Sequence, residues 1–201
     1  MLVQVQAEII IFRGANMKQA KTLTQQELRR VLDHISTRKH AARNRAMLLM
    51  THWAGMRVGE VAALTWADVL DQQGKVKTEI YLSAEQTKGS YARTIIVSER
   101  LQKELAAYVK TRKYQEPSAR LFYSQKTPRN GFTANTLAQY FHYLYKAVGI
   151  EGASSHSGRR SFITNLASKA VNVRVLMALA GHRQMSTTQR YIDVNDNMLR
   201  A

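Results

Sequence analysis

The chain has 201 residues, 45% of them hydrophobic, which is enough for one substantial core and a single compact domain. Lysine and arginine number 30 against 14 acids, a formal net charge of +16; that excess concentrates polyanions at the surface and points to nucleic acid as partner, without separating DNA from RNA. Cysteine is absent, which excludes a disulfide framework, a thiolate nucleophile and a cysteine zinc site, and no apolar run approaches the roughly 18 to 20 residues of a membrane span.

Taken in chain order, Met1 to Phe12 carries Ile9, Ile10, Ile11 and Phe12 but no preceding basic segment. It is not a signal peptide, and it fits either a short strand or an extended lead-in. Residues 1–23 are therefore read as an N-terminal extension and 24–201 as one domain, soluble and cytoplasmic. Thr24-Gln-Gln-Glu27 is a capping box, and Leu28, Val31, Leu32 and Ile35 follow at helical spacing. A second helix is predicted from about Ala41 to Ala54, stopped by Gly55 in a left-handed conformation, and a third from about Val58 to Thr65. Alternation over Thr78–Ala84 and β-branched enrichment over Ala92–Ser98 predict an antiparallel hairpin, with Lys88-Gly89 at its tip. Ser98 is placed to cap a helix that buries Leu101, Leu105, Tyr108 and Val109. Loops at Pro117 and Pro128–Gly131 precede a helix over about Thr133–Val148, and two more are expected near Gly158–Ala170 and Asn172–Ala180. The fold class is mainly α with a small antiparallel β-sheet.

Several chemistries are disfavoured. Two-metal phosphoryl transfer needs converging carboxylates, and the 14 acids are scattered; no GxxxxGK[ST] pattern is present. No metal and no cofactor are expected. Metal-free attack on a phosphodiester needs a nucleophile, cations for the equatorial oxygens and a proton donor for the leaving oxygen. The sequence offers Arg57 just past a glycine helix stop, Lys88 on a hairpin tip, His156 and Arg159 at the opening of a helix, His182 after Gly181, and Tyr191 nine residues later. Singly, each has an ordinary structural explanation. His34, His40, His52 and His142 lack such a setting and are read as structural or surface residues.

Four segments, GMRVGEVAALTWADV (55–69), TKGSYARTIIVS (87–98), HSGRRSF (156–162) and AGHRQMSTTQRYIDV (180–194), resemble the signature regions of the tyrosine recombinases, or phage integrases, in that family's order. The resemblance implies the tyrosine recombinase catalytic-domain fold. It also implies an enzyme that cleaves and rejoins DNA through a 3′-phosphotyrosyl intermediate. In the roles it assigns, Tyr191 attacks the phosphate, Arg57 and Arg159 clamp its non-bridging oxygens, Lys88 protonates the leaving 5′-oxygen, His156 exchanges a proton with the tyrosine and His182 hydrogen-bonds the phosphate. Glu60 matches an acidic position that supports the first arginine. Double-stranded DNA is the implied partner, a dimer or tetramer on that DNA the implied assembly, and the bacterial or phage nucleoid the implied place of work.

The sequence departs from the family's pattern in three places. Gly158 and Arg160 occupy positions where the family has leucine and histidine around Arg159. Glycine there removes an apolar anchor and is expected to loosen the helix start by about 0.5 to 1 kcal/mol. Only 23 residues precede the first predicted helix, where most members carry a helical core-binding domain; this resembles the short single-domain members such as the fimbrial phase-variation invertases, and a remnant that lost its front half is the alternative expectation. The ten residues after Tyr191 argue against a long exchanged C-terminal helix. Two other readings are a DNA-binding protein that keeps the fold with little or no recombination activity, whose cue would be a lost catalytic residue, and a type IB topoisomerase. The intact set argues against the first, and the length with the GHxxxxTTxxY pattern argues against the second.

Overall fold

The computed structural model describes residues 19–87, 91–113, 116–124, 131–169 and 171–192. In chain order the elements are α1 (Gln25–Ser36), α2 (Ala41–Trp53), α3 (Val58–Ala63), α4 (Trp66–Val69), β1 (Glu79–Leu82), a 3₁₀ turn (Ala84–Gln86), β2 (Arg93–Ile96), α5 (Glu99–Lys110), α6 (Ala134–Ala147), α7 (Ser157–Ala167), α8 (Val173–Ala180) and α9 (Met185–Ile192). The mainly helical class with one small sheet is what the patterning predicts.

Local chemistry accounts for most of the boundaries. The Thr24 hydroxyl accepts from the Glu27 amide while the Glu27 carboxylate accepts from the Thr24 amide, closing the expected capping box of α1. Gly55 follows α2 at φ 63°, the left-handed stop the sequence calls for. The hairpin pairs antiparallel with Ile80 opposite Ile95, so Ile80, Leu82 and Ile95 face the core. Its tip, with Lys88, lies outside the described residues, as does most of the predicted Pro128–Gly131 loop. Thr65 closes a reciprocal cap with Asp68 and starts the short α4, so the third helix ends two residues earlier than predicted. Ser98 stands at the N-cap of α5 without a side-chain hydrogen bond to the helix.

Two hydrophobic clusters organise the molecule. The main one is centred on α2, whose Ala46 to Met50 run is completely enclosed, with α1, α3, α5, α6 and the inner face of the hairpin around it. The second joins Ile163 and Ala167 of α7 to Leu176 and Ala180 of α8, with Tyr191 and Ile192 of α9 packed at its edge. Helix α7 lies between the two clusters, against α2. Gly158 makes that approach close: a β-carbon there would stand 2.1 Å from Thr51 Oγ1. The glycine that seemed to weaken the helix start instead fills a position with no room for a side chain.

Candidate active site

The ends of α2, α7 and α8 and the start of α3 converge, and three arginines meet there. Arg57 takes the N-cap position of α3; its backbone amide donates to Glu60 Oε2 and its Nη1 to Glu60 Oε1, both at 2.8 Å. Arg159, on the first turn of α7, is 5% exposed. Its Nη1 donates to the Gly55 carbonyl at 2.6 Å and its Nη2 to the Ala180 carbonyl. The guanidinium therefore bridges the turn leading to Arg57 and the turn leading to His182. The third arginine, Arg93 on β2, donates from Nη2 to Glu60 Oε2 at 2.6 Å.

Glu60, 1% exposed, is the carboxylate shared by Arg57 and Arg93, and no carboxylate pairs directly with Arg159 among the described residues. Burial alone would raise the Glu60 carboxyl. Arg93 and the Arg57 backbone and side chain outweigh it and hold the group below the usual carboxylate range. Burial, with Arg57 and Arg93 nearby, pushes Arg159 down to about 9, which still leaves it cationic at neutral pH. Two guanidiniums thus share one carboxylate while a third, Arg159, is held by carbonyls, and the surplus positive charge suits an anion with several oxygens.

His182 follows Gly181, which ends α8 at φ 61°. Burial, then Arg159, Arg57 and Arg93, push the imidazole down to about 4, so it is neutral at pH 7. Its Nδ1 lies 3.0 Å from the hydroxyl of the buried Thr188. When that hydroxyl donates to Nδ1, the ring proton sits on Nε2 as a free donor. Tyr191, on the last turn of α9, stacks on His182 with ring centroids 5.7 Å apart and planes at 26°. The Arg160 guanidinium lies 5.3 Å from the Tyr191 ring centroid. A cleft of about 760 Å³ opens in front of these groups, walled by Arg57, Arg93, His182, Thr87 and Tyr91. The Arg183 guanidinium caps the Tyr91 ring at 4.0 Å.

Of the six residues predicted from sequence, Arg57, Arg159, His182 and Tyr191 come together here. His156 is exposed at the N-cap of α7, three residues before Arg159. Lys88 lies outside the described residues. Sequence reasoning missed Arg93 and gave Thr188 no individual role. Arg93 carries no local signal, since its partners lie far away in the chain, whereas Thr188 lies within the GHxxxxTTxxY pattern, which does not by itself show which group its hydroxyl meets. Among the described residues no group of acids and histidines could hold a metal ion, and no helix is long and apolar enough to cross a membrane.

Comparison with known proteins places this arrangement. Residues 21–198 match the Phage integrase family. The chain is 30% identical over 181 residues to tyrosine recombinase XerA of Pyrococcus horikoshii, covering 90% of this chain and 59% of that protein. It is 27% identical over 190 residues to tyrosine recombinase XerD of Rickettsia conorii, covering 87% of this chain and 60% of that protein. The chain thus spans less than two thirds of the length of these relatives. The crystal structure of XerA recombinase superposes with a TM-score of 0.71 at 27% identity, over 90% of this chain and 62% of that one. The catalytic domain of bacteriophage HP1 integrase shares the fold at 19% identity and a TM-score of 0.60, over 86% of this chain and 87% of that one. With nearly its whole length matched and the converging arginines, histidine and tyrosine inside the match, the chain belongs to the phage integrase family.

Proposed function

We propose that residues 24–201 form the catalytic domain of a site-specific DNA recombinase, with residues 1–23 an extension. The observation that carries this reading is the Tyr191 ring stacked on His182 beside a cleft where Arg57 and Arg93 share the Glu60 carboxylate and Arg159 is buried next to them. The Tyr191 oxygen attacks the scissile phosphorus, the bond to the 5′-oxygen breaks, and a 3′-phosphotyrosyl link forms. Arg57 and Arg159 hold the non-bridging oxygens and meet the charge that builds on them in the transition state. His182 donates from Nε2 to one of those oxygens, Thr188 fixing the tautomer. His156 accepts the phenol proton, and Lys88 gives a proton to the departing 5′-oxygen, which leaves as a hydroxyl. The new ester conserves the energy of the broken one, so the reverse attack by a 5′-hydroxyl rejoins the strand without nucleotide hydrolysis. Double-stranded DNA of the nucleoid is the substrate and a dimer or tetramer on it the working assembly. The net charge of +16 and the recombinase relatives support both the partner and the chemistry.

The test uses a pool of duplexes, each nicked just 3′ of the scissile position so that the short fragment diffuses away, with randomised flanking sequence. The wild-type protein is expected to form a denaturant-resistant adduct with a subset of the pool and Tyr191→Phe to form none. Failure of the whole pool to yield an adduct, or an adduct surviving Tyr191→Phe, overturns the proposal.

A further inference from the structure

Arg93 ties together two distant parts of the cleft wall. It lies 33 residues from Glu60 and 86 from Leu179 in the chain and bonds both. Its side chain is 8% exposed. Nη2 reaches Glu60 Oε2 at 2.6 Å, and Nη1 reaches the Leu179 carbonyl, one of the free carbonyls at the end of α8, at 3.2 Å. The stem crosses Gly181 so closely that a β-carbon there would lie 2.7 Å from Arg93 Cδ. The other oxygen of Glu60 receives Arg57 Nη1. On the same strand side, the Tyr91 ring meets the Arg183 guanidinium next to His182.

Two parts of the site on separate elements are therefore referred to one side chain. Glu60 is too buried for water to steady it, so Arg93 opposes the pull of Arg57 and sets the carboxylate's orientation, which in turn sets Arg57. At its other end Arg93 holds the turn that carries His182. We infer that Arg93 is a positioning residue that aligns Arg57, through Glu60, and His182, through Leu179 and Gly181, on one phosphate. This rests on the reading of Arg57 and His182 as phosphate-binding groups. Through Nη2 and Nη1 Arg93 bonds Glu60 and the Leu179 carbonyl, and by these two bonds it acts on Arg57 and His182. Planar guanidinium suits the task because a single ammonium cannot span Glu60 and the Leu179 carbonyl with fixed geometry.

The experiment has two arms on the full chain. In the DNA-free protein, the Arg57 side-chain N–H resonance is followed by NMR. It is expected to be restrained in the wild type and in Arg93→Lys and to average toward free-arginine values in Arg93→Met. The second arm measures the single-turnover rate of adduct formation on a nicked duplex recovered from the pool. Arg93→Met is expected to slow it about 10- to 100-fold, with duplex affinity within about twofold of wild type, and Arg93→Lys to recover only the part of the loss carried through Glu60, since its ammonium cannot also hold the Leu179 carbonyl. Arg57→Ala/Arg93→Met is expected to be slower than Arg57→Ala by less than the full factor that Arg93→Met costs alone, because the share of that loss carried through Arg57 is already gone. Losses that multiply in the double variant, a wild-type rate for Arg93→Met, or an unchanged Arg57 resonance in Arg93→Met overturn the inference. If Arg93→Met does not fold, Arg93→Gln, whose shorter side chain with one amide does not span Glu60 and the Leu179 carbonyl, takes its place in both arms. Should wild-type protein form no adduct, the proposed function fails, and the NMR arm still decides the role of Arg93.

Discussion

Gly158 and Thr51 meet where α7 lies against α2, and the contact sets how deep Arg159 sits. In an isolated helix, alanine at such a position would gain about 1 kcal/mol over glycine. Here the new methyl would overlap the Thr51 hydroxyl, itself donating to the Leu48 carbonyl at 2.7 Å. Overpacking of this kind costs about 1 to 3 kcal/mol, so the clash outweighs the propensity gain. Gly158→Ala is therefore expected to lower the thermal midpoint by a few degrees; a midpoint that rises would show that α7 can move away freely. What the sequence reveals at this scale depends on distance along the chain. The Thr24–Glu27 cap and the Gly55 stop were readable because their partners lie within a few residues. The Arg93–Glu60 pair joins a strand to a helix 33 residues away, and nothing in either segment announces it. The candidate residues, and Glu60 as the acid beside Arg57, could be named from spacing and resemblance, but the carbonyl partners of Arg159 and the hydroxyl partner of His182 could not.

Among the elements, α9 differs from the others in what anchors it. Thr188 is its one fully buried side chain among the described residues, and Tyr191 and Ile192 pack only at the edge of the small cluster of α7 and α8. A helix whose buried position is a threonine shows little apolar periodicity, so no helix is predicted there from sequence, whereas α5 and α6 are plain from their leucine and aromatic stripes. The same weak anchoring predicts that the nucleophile's helix opens more readily than the core. In hydrogen exchange, α9 amides should lose protection well before those of α2. Leu176→Ala, which removes a fully buried side chain of the small cluster at a cost of about 2 to 4 kcal/mol, should release α8 and α9 while leaving α2 protected. Equal loss of protection in α2 would mean that the two clusters unfold as one.

For the whole molecule, buried histidines make stability depend on pH. Burial, with Arg100 nearby, pushes His52 down to about 4, and burial with the three site arginines does the same for His182. His40 is lowered as well, by burial and then Arg43. An unfolded chain binds protons at histidine near pH 6.5, so between about 4 and 6.5 it holds more protons than the folded protein. Stability contributed by these groups is therefore present above about pH 6.5 and is lost as pH falls toward 4. The urea midpoint should drop between pH 7 and pH 5, above the range where carboxylates titrate, and His52→Gln should flatten the drop. A midpoint independent of pH over that interval would contradict the burial of these rings.

The central claim concerns one oxygen atom and is tested most directly by locating the covalent bond. Adduct formed on the nicked duplex is digested with nuclease and protease, and the modified peptide is sequenced by mass spectrometry. A nucleotide 3′-phosphate is expected on Tyr191 and on no other residue. A nucleotide on a different tyrosine or a serine, or one linked through its 5′-phosphate, would contradict it.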